Sequence, residues 1–127
     1  MPVPAGKPNA FRKAEHLRRP AEFRRVYERR RTASDSWLLI YACENNLQYL
    51  RVGMSVSRKF GQATRRNRLR RLYREAFRLT RGQMPVGLDI VMIPRSSEEP
   101  TLEELKRSLP GLVNQIARKL NLETGGS

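Results

Sequence analysis

Residues 49–57 read Tyr-Leu-Arg-Val-Gly-Met-Ser-Val-Ser, and they alternate. Leu50, Val52, Met54 and Val56 fall on one side of an extended chain. Arg51, Gly53, Ser55 and Ser57 fall on the other. This spacing predicts a half-buried strand with an apolar face on a core and an open polar face. Six residues on, the period changes. Leu69, Leu72, Tyr73, Ala76 and Phe77 recur at helical spacing, predicting a long amphipathic helix over about residues 63–80. A period-two strand that feeds a period-3.6 helix confines the chain to a mixed architecture in which both apolar faces meet in one core.

The rest of the chain fits around this pair. Pro20 suits a first helical turn, and Phe23, Val26 and Tyr27 continue a short helix to about residue 31. Arg19 is a poor cap for it. Residues 36–43 (SWLLIYAC) are rich in β-formers and predict a strand, followed by a turn at Asn45-Asn46. That strand and the alternating one are expected to form an antiparallel hairpin. Arg81-Gly82 ends the long helix, with Gly82 as the left-handed residue after it. Residues 87–93 (GLDIVMI) predict a third strand, stopped by Pro94. Thr101 and Glu104 form a capping-box pattern for a last helix carrying Leu102, Leu105 and Leu109. Pro110-Gly111 is expected to kink or interrupt it before Leu112, Ile116 and Leu120. The order α-β-β-α-β-α predicts a single α+β sandwich, with helices against one face of a small sheet. It occupies about residues 12–120, between a loose lead-in at 1–11 and a loose tail at 121–127.

Charge narrows the function. The 127 residues carry 26 Lys and Arg against 12 Asp and Glu, a formal net charge of +14. Residues 58–81 hold 10 basic side chains against one acidic, Glu75. On the long helix, Arg66, Arg70 and Arg74 stack at i, i+4 and i+8, with Arg65, Arg68 and Arg71 beside them and Asn67 set in the row. Like charges at this spacing repel by a few tenths of a kcal/mol per pair, roughly, which an anionic partner offsets. Arginine also suits bidentate phosphate contacts better than lysine. The bland alternative is a solvated helix face. The clustering favours a nucleic-acid footprint.

A second group is aromatic. Phe23 and Tyr27 lie one turn apart on the first helix, and Trp37, Leu39 and Tyr41 share a nominal strand face. Rings beside basic residues can stack unpaired bases. The same spacing also packs a helix onto a sheet, and the pattern alone leaves both readings open. Chemistry of the chain's own is hard to find. One Cys, Cys43, and one His, His16, exclude an internal disulfide and argue against a Cys/His zinc site. Asp35, Glu44 and Asp89 form no evident metal set. No stretch approaches a membrane span or a secretory leader, so a reducing cytoplasm is the expected compartment.

The segment Arg51-Val-Gly-Met-Ser-Val-Ser-Arg-Lys-Phe-Gly61, then Ala63-Thr-Arg-Arg-Asn-Arg-Leu-Arg-Arg-Leu-Tyr-Arg-Glu-Ala-Phe-Arg78, closely resembles the signature of the bacterial ribonuclease P protein subunit. Leu17, Phe23, Val26 and Tyr27, and Leu88 through Arg95, extend the resemblance to about residues 12–120. It implies a fold similar to the second domain of ribosomal protein S5, with a left-handed βαβ crossover against the usual rule. It implies a ribozyme cofactor, joined one-to-one to a catalytic RNA that carries the Mg²⁺ and performs the hydrolysis. The product is the mature 5′ end of tRNA, and no catalytic residue is expected on this chain. By the same resemblance, Arg65, Arg66, Asn67, Arg68, Arg70, Arg71 and Arg74 face the RNA subunit. A cleft of Phe23, Tyr27, Leu39, Tyr41, Ser55, Ser57 and Lys59 takes the 5′ leader of precursor tRNA. No DNA or membrane partner is implied. The competing readings are a ribosomal or ribosome-assembly RNA-binding protein, a DNA-binding regulator, for which no helix-turn-helix spacing is present, and a self-sufficient nuclease.

Overall fold

The computed structural model describes residues 13–96 and 98–124. The lead-in expected at 1–11 and the last three residues of the expected tail lie outside them. The elements in chain order are α1 (Pro20–Arg29), β1 (Thr32–Ser34), β2 (Leu38–Glu44), β3 (Arg51–Met54), α2 (Ala63–Thr80), β4 (Leu88–Pro94) and α3 (Leu102–Thr124). Short 3₁₀ turns at Lys13–Glu15, Arg58–Phe60 and Arg81–Gln83 join them. The architecture is the expected α+β sandwich, with one more strand than expected. Arg30 ends α1 in the left-handed conformation (φ 58°), its N–H donating to Tyr27 O, and frees the next residues for β1.

The sheet order is β1-β2-β4-β3. β2 pairs antiparallel with β1 and β4, whereas β3 pairs parallel with β4. The expected hairpin between β2 and β3 is therefore absent: β4 lies between them. The reason is in β4 itself. Leu88, Ile90 and Met92 are buried on one face, Asp89 and Val91 on the other. A strand covered on both faces reads as a continuous apolar run and belongs at the centre of a sheet. β3, α2 and β4 then make a parallel crossover unit.

α2 and α3 cover one face. Leu38, Ile40, Ala42, Val52, Ile90 and Met92 of the sheet meet Leu69, Tyr73, Ala76 and Phe77 of α2 and Leu105, Leu109, Val113 and Ile116 of α3. Among the described residues, the other face carries α1 and a smaller cluster of Leu17, Val26, Cys43 and Val91. The expectation of helices against one face is therefore not met: α1 takes the second face, because its Val26, Phe23 and Tyr27 pack on Val91, Cys43 and Tyr41 there.

Two helix ends differ from expectation. Gly82 sits inside a 3₁₀ turn, and α2 closes on Arg81 in right-handed geometry. α3 runs through Pro110 without interruption, although a proline inside a helix costs roughly 3 kcal/mol. Leu105, Leu109, Leu112, Val113, Ile116 and Leu120 are all buried along it, each contributing on the order of 1.5–3 kcal/mol, which outweighs the missing bond. The capping box at its start forms as the spacing predicts. Glu104 N–H donates to Thr101 Oγ1 at 3.1 Å, and Thr101 N–H donates to Glu104 Oε1 at 2.8 Å.

Candidate nucleic-acid interface

α2 enters from a tight turn. Phe60 is buried and anchors it, and Gly61 (φ 113°) takes a backbone angle that other residues rarely adopt. The helix has no acidic residue in its first turn, and its Gln62 cap makes no side-chain bond to it. Its positive dipole end therefore coincides with the Arg row, a doubly electropositive site for an anion. Asn67, Arg68, Arg71 and Arg74 are exposed; Arg65, Arg66 and Arg70 are half-buried.

Local contacts hold this row in place. Arg65 Nη1 donates to Phe60 O at 3.0 Å and Arg66 Nε to Gly61 O at 3.2 Å. Arg70 Nη1 donates to Asn67 Oδ1 at 2.9 Å, so Asn67 fixes a neighbouring guanidinium. Arg68 pairs with Glu99, before α3, at 2.9 Å, an acidic partner far off in sequence. Burial, and then Arg70, push the Arg74 pKa below its usual value. An anion along this row relieves that repulsion.

The outer face of the sheet is ordered in rows by the register. Cys43, Asp89 and Arg51 lie side by side, then Tyr41, Val91 and Gly53, then Leu39 and Ile93 with Ser55 beyond the end of β3. α1 crosses the strands over the first two rows. Its Glu22 meets Arg51 of β3, Arg25 meets Asp89 of β4, and Arg29 meets Glu44 of β2. The next stripe of the helix, Phe23 and Tyr27, faces the second row. A Cβ on Gly53 would come within 2.5 Å of the Phe23 ring, so only glycine lets that ring approach β3 this closely. Tyr27 meets Tyr41 edge-on, with centroids 5.0 Å apart. Among the described residues nothing covers the third row: Leu39, Ile93 and Ser55 are half-buried, and Ser57 and Lys59 beyond them are exposed.

Comparison with known proteins points one way. A sequence model of the family described as Ribonuclease P matches residues 11–117. The Ribonuclease P protein component of Clostridioides difficile is 39% identical over 107 residues, 83% of this chain and 94% of that protein. The structure of the Staphylococcus aureus RNase P protein superposes with a TM-score of 0.69 at 31% identity, covering 83% of this chain and 96% of that one. The Thermotoga maritima RNase P protein gives 0.62 at 36% identity, covering 85% and 94%. The chain belongs to the ribonuclease P protein family. Ribonuclease P is an endoribonuclease, and its protein is a subunit of the holoenzyme.

In this member of the family, the fold gathers the predicted residues into two groups. The α2 cations form one. Phe23, Tyr27, Tyr41, Leu39 and Ser55 form the other around the uncovered row. Trp37 departs from the expectation: it precedes β2 and packs with the inner-face cluster, apart from Tyr41. Lys59 lies between the groups, over the Phe60 ring at 5.4 Å, in a pocket of about 250 Å³ shared with Arg65 and Arg95. Arg95 escaped the sequence reading because only the strand order carries the end of β4 to the start of α2.

The ion cluster under α1 also escaped it. Asp89 is fully buried and accepts from Arg51 Nε at 2.8 Å, Arg51 Nη2 at 2.7 Å, Asn45 Nδ2 at 2.9 Å and Arg25 Nη2. An acidic residue inside an apolar strand was the available signal, since such a group is buried only with partners. Glu22 supplies the cap that Arg19 cannot. The N–H groups of Arg18 and Arg19 donate to its Oε1, each at 2.9 Å. These bonds hold its carboxyl below the usual range. Among the described residues, no three His, Cys, Asp or Glu side chains gather as a metal site, and no helix is long and apolar enough to cross a membrane.

Proposed function

We propose that this chain binds the catalytic RNA of ribonuclease P through α2, and the 5′ leader of precursor tRNA through the cleft beside α1. The observation that carries the reading is the uncapped, acid-free start of α2, where the Arg row and the helix dipole act on the same anion. Arg66, Arg68, Arg70, Arg71 and Arg74 take phosphates of the RNA subunit, Asn67 orients Arg70, and Arg65 stands at the turn. Phe23, Tyr27, Tyr41 and Leu39 receive leader bases, with Ser55, Ser57 and Lys59 along the backbone. Arg95 joins Lys59 and Arg65 where the two surfaces meet.

The mechanism is electrostatic. RNA subunit and precursor are both polyanions, and a protein of net charge +14 between them screens their repulsion. Mg²⁺ and the hydrolytic step belong to the RNA on this reading, with one protein per RNA subunit. Stacking on the rings is worth about 1–3 kcal/mol per base with little sequence preference. Mature tRNA has no leader and gains none of it.

The test is cleavage of a leader-bearing precursor tRNA at low Mg²⁺ by the RNA subunit of the same organism, with and without the protein. The expected result is a large rise in rate that needs both components. Cleavage by the protein alone would place an active site on this chain. No effect in either arm would leave an RNA-binding module of the ribosomal kind.

A further inference from the structure

The Arg row of α2 does not end with the helix. The chain before α1 lies along the free edge of β3: His16 bridges Val52 in parallel, and Leu17 N–H donates to Val52 O at 2.9 Å. This puts His16 in the field of Arg74 of α2 and of Arg18. Burial first, and then those two cations, hold the imidazole below its usual pKa. Past His16 opens a groove of about 610 Å³, lined by Lys13, His16, Arg18, Arg19, Tyr49 and Arg51. It lies on the opposite flank of α1 from the aromatic cleft.

Among the described residues the groove holds one carboxylate, Glu22, and that carboxylate is already engaged. Its Oε1 takes the N–H groups of Arg18 and Arg19, and its Oε2 takes Arg51. Arg51 is in turn paired with Asp89. Lys13, Arg18 and Arg19 are exposed, and their charges meet no further acid in the groove. Three cations around one concave surface, with His16 between them and the field of Arg74, are complementary to a run of phosphodiesters. The half-buried Tyr49 adds one ring wall against which a sugar or base can lie.

We propose that this groove is a further RNA site, in which Lys13, Arg18 and Arg19 hold phosphates of the catalytic RNA beyond those on α2. The inference rests on the proposed function, and its failure can be told apart from failure of that reading. The experiment measures affinity of the full chain for the RNA subunit across a salt series, then precursor and mature tRNA binding by the assembled holoenzyme. The groove variant is Arg18→Gln/Arg19→Gln. The control is Arg107→Gln/Arg118→Gln, which removes the same charge from exposed positions of α3. Lys13→Gln/Arg18→Gln repeats the groove test without altering the residue before α1.

Two lost phosphate contacts weaken assembly about thirtyfold at 0.15 M salt and flatten the log–log salt slope by about 1.4–1.8. The control is expected to change affinity less than threefold, and thermal midpoints should match. Equal weakening by the control would show that only net charge matters, and would overturn the site. Unchanged assembly with weaker precursor binding would move the groove to the substrate and overturn the assignment. No change in either measurement would overturn it outright while the proposed function stands. If the unsubstituted protein fails to bind the RNA subunit, the proposed function falls, and the groove with it.

Discussion

The two faces of the sheet are held by different physics. The face under α2 and α3 is a continuous apolar cluster, including Phe77, Ile40, Ile90, Met92, Leu109 and Ile116, all fully buried. The face under α1 has four buried apolar residues, and its helix is pinned along one flank by Glu22–Arg51, Arg25–Asp89 and Arg29–Glu44. Hydrophobic burial is non-directional and closes a surface completely. Ion pairs fix a helix by points and leave the rest of the face open. The ionic flank thus allows Phe23 and Tyr27 to stand beside an uncovered row. The inner face stabilises the fold; the outer one trades closure for access.

The sharpest way to break this comparison is to empty the inner face. Phe77→Ala is expected to cost about 3–5 kcal/mol in denaturant unfolding, and to reduce assembly and leader binding alike. Asp89→Ala attacks the outer face at its buried anchor. It leaves Arg51 without its main partner, a loss of roughly 3–5 kcal/mol for a buried pair and nearer the low end here, because the Arg25 side chain is 46% exposed. Its functional signature should differ. At temperatures where the variant is folded, preference for precursor over mature tRNA falls further than affinity for the RNA subunit, which loses only what the groove beside Arg51 supplies. Equal losses in both would mean that α1 is not separately anchored.

A smaller change sharpens the contrast without touching a charge. Gly53→Ala places a methyl where the Phe23 ring now lies, and the ring must move. Overpacking of this kind costs about 1–3 kcal/mol. Precursor binding should weaken, and assembly through α2 should not. Tyr27→Ala/Tyr41→Ala tests the same cleft from the ring side, with the loss confined to precursor. Mature-tRNA binding that fell as far would remove the leader from the account.

How much of this was legible in the sequence follows the same division. The inner face was readable because burial repeats with a period: the α2 stripe appears as predicted, and the Thr101/Glu104 cap forms. By contrast, β3 spans only Arg51–Met54, and its polar side, expected open, is covered by α1 at Arg51 and Gly53. The hairpin expectation fails because pairing is a tertiary choice, and the continuous apolar run of β4, which demands a central place, marks a strand without naming its neighbours. β1, of three residues, is too short to show a period. On the outer face, Phe23, Tyr27 and Tyr41 are marked by type and spacing. Arg25–Asp89, Arg68–Glu99 and the Arg95 pocket join residues far apart in sequence, and no local pattern announces such pairs.

The mildest test is titration with acid. The inner cluster is apolar, with one phenol, Tyr73, pushed up by burial, away from the acid range. The depressed Glu75 of α2 lies outside it, in a partly exposed pair with Arg78 that pins no helix to the sheet. Glu22 on the outer face is different. Its folded pKa is depressed from 4.5, first by the N–H bonds from Arg19 and Arg18 and further by Arg51. A depressed carboxyl binds fewer protons folded than unfolded, so its contribution is complete above about 4.5 and is lost as the pH falls through the lower folded value. Amide exchange in α1 should therefore accelerate in acid before that in α2 and α3. Glu22→Gln should cost about 1 kcal/mol near neutrality, as a lost helix cap does, and should flatten that early acid limb. Trp37, the single tryptophan, packs on the inner cluster, so its fluorescence should stay unchanged through the first step. If α1 and α2 instead lose protection at one pH, the outer helix is held by the shared core, and its ion pairs decorate the face without governing its openness.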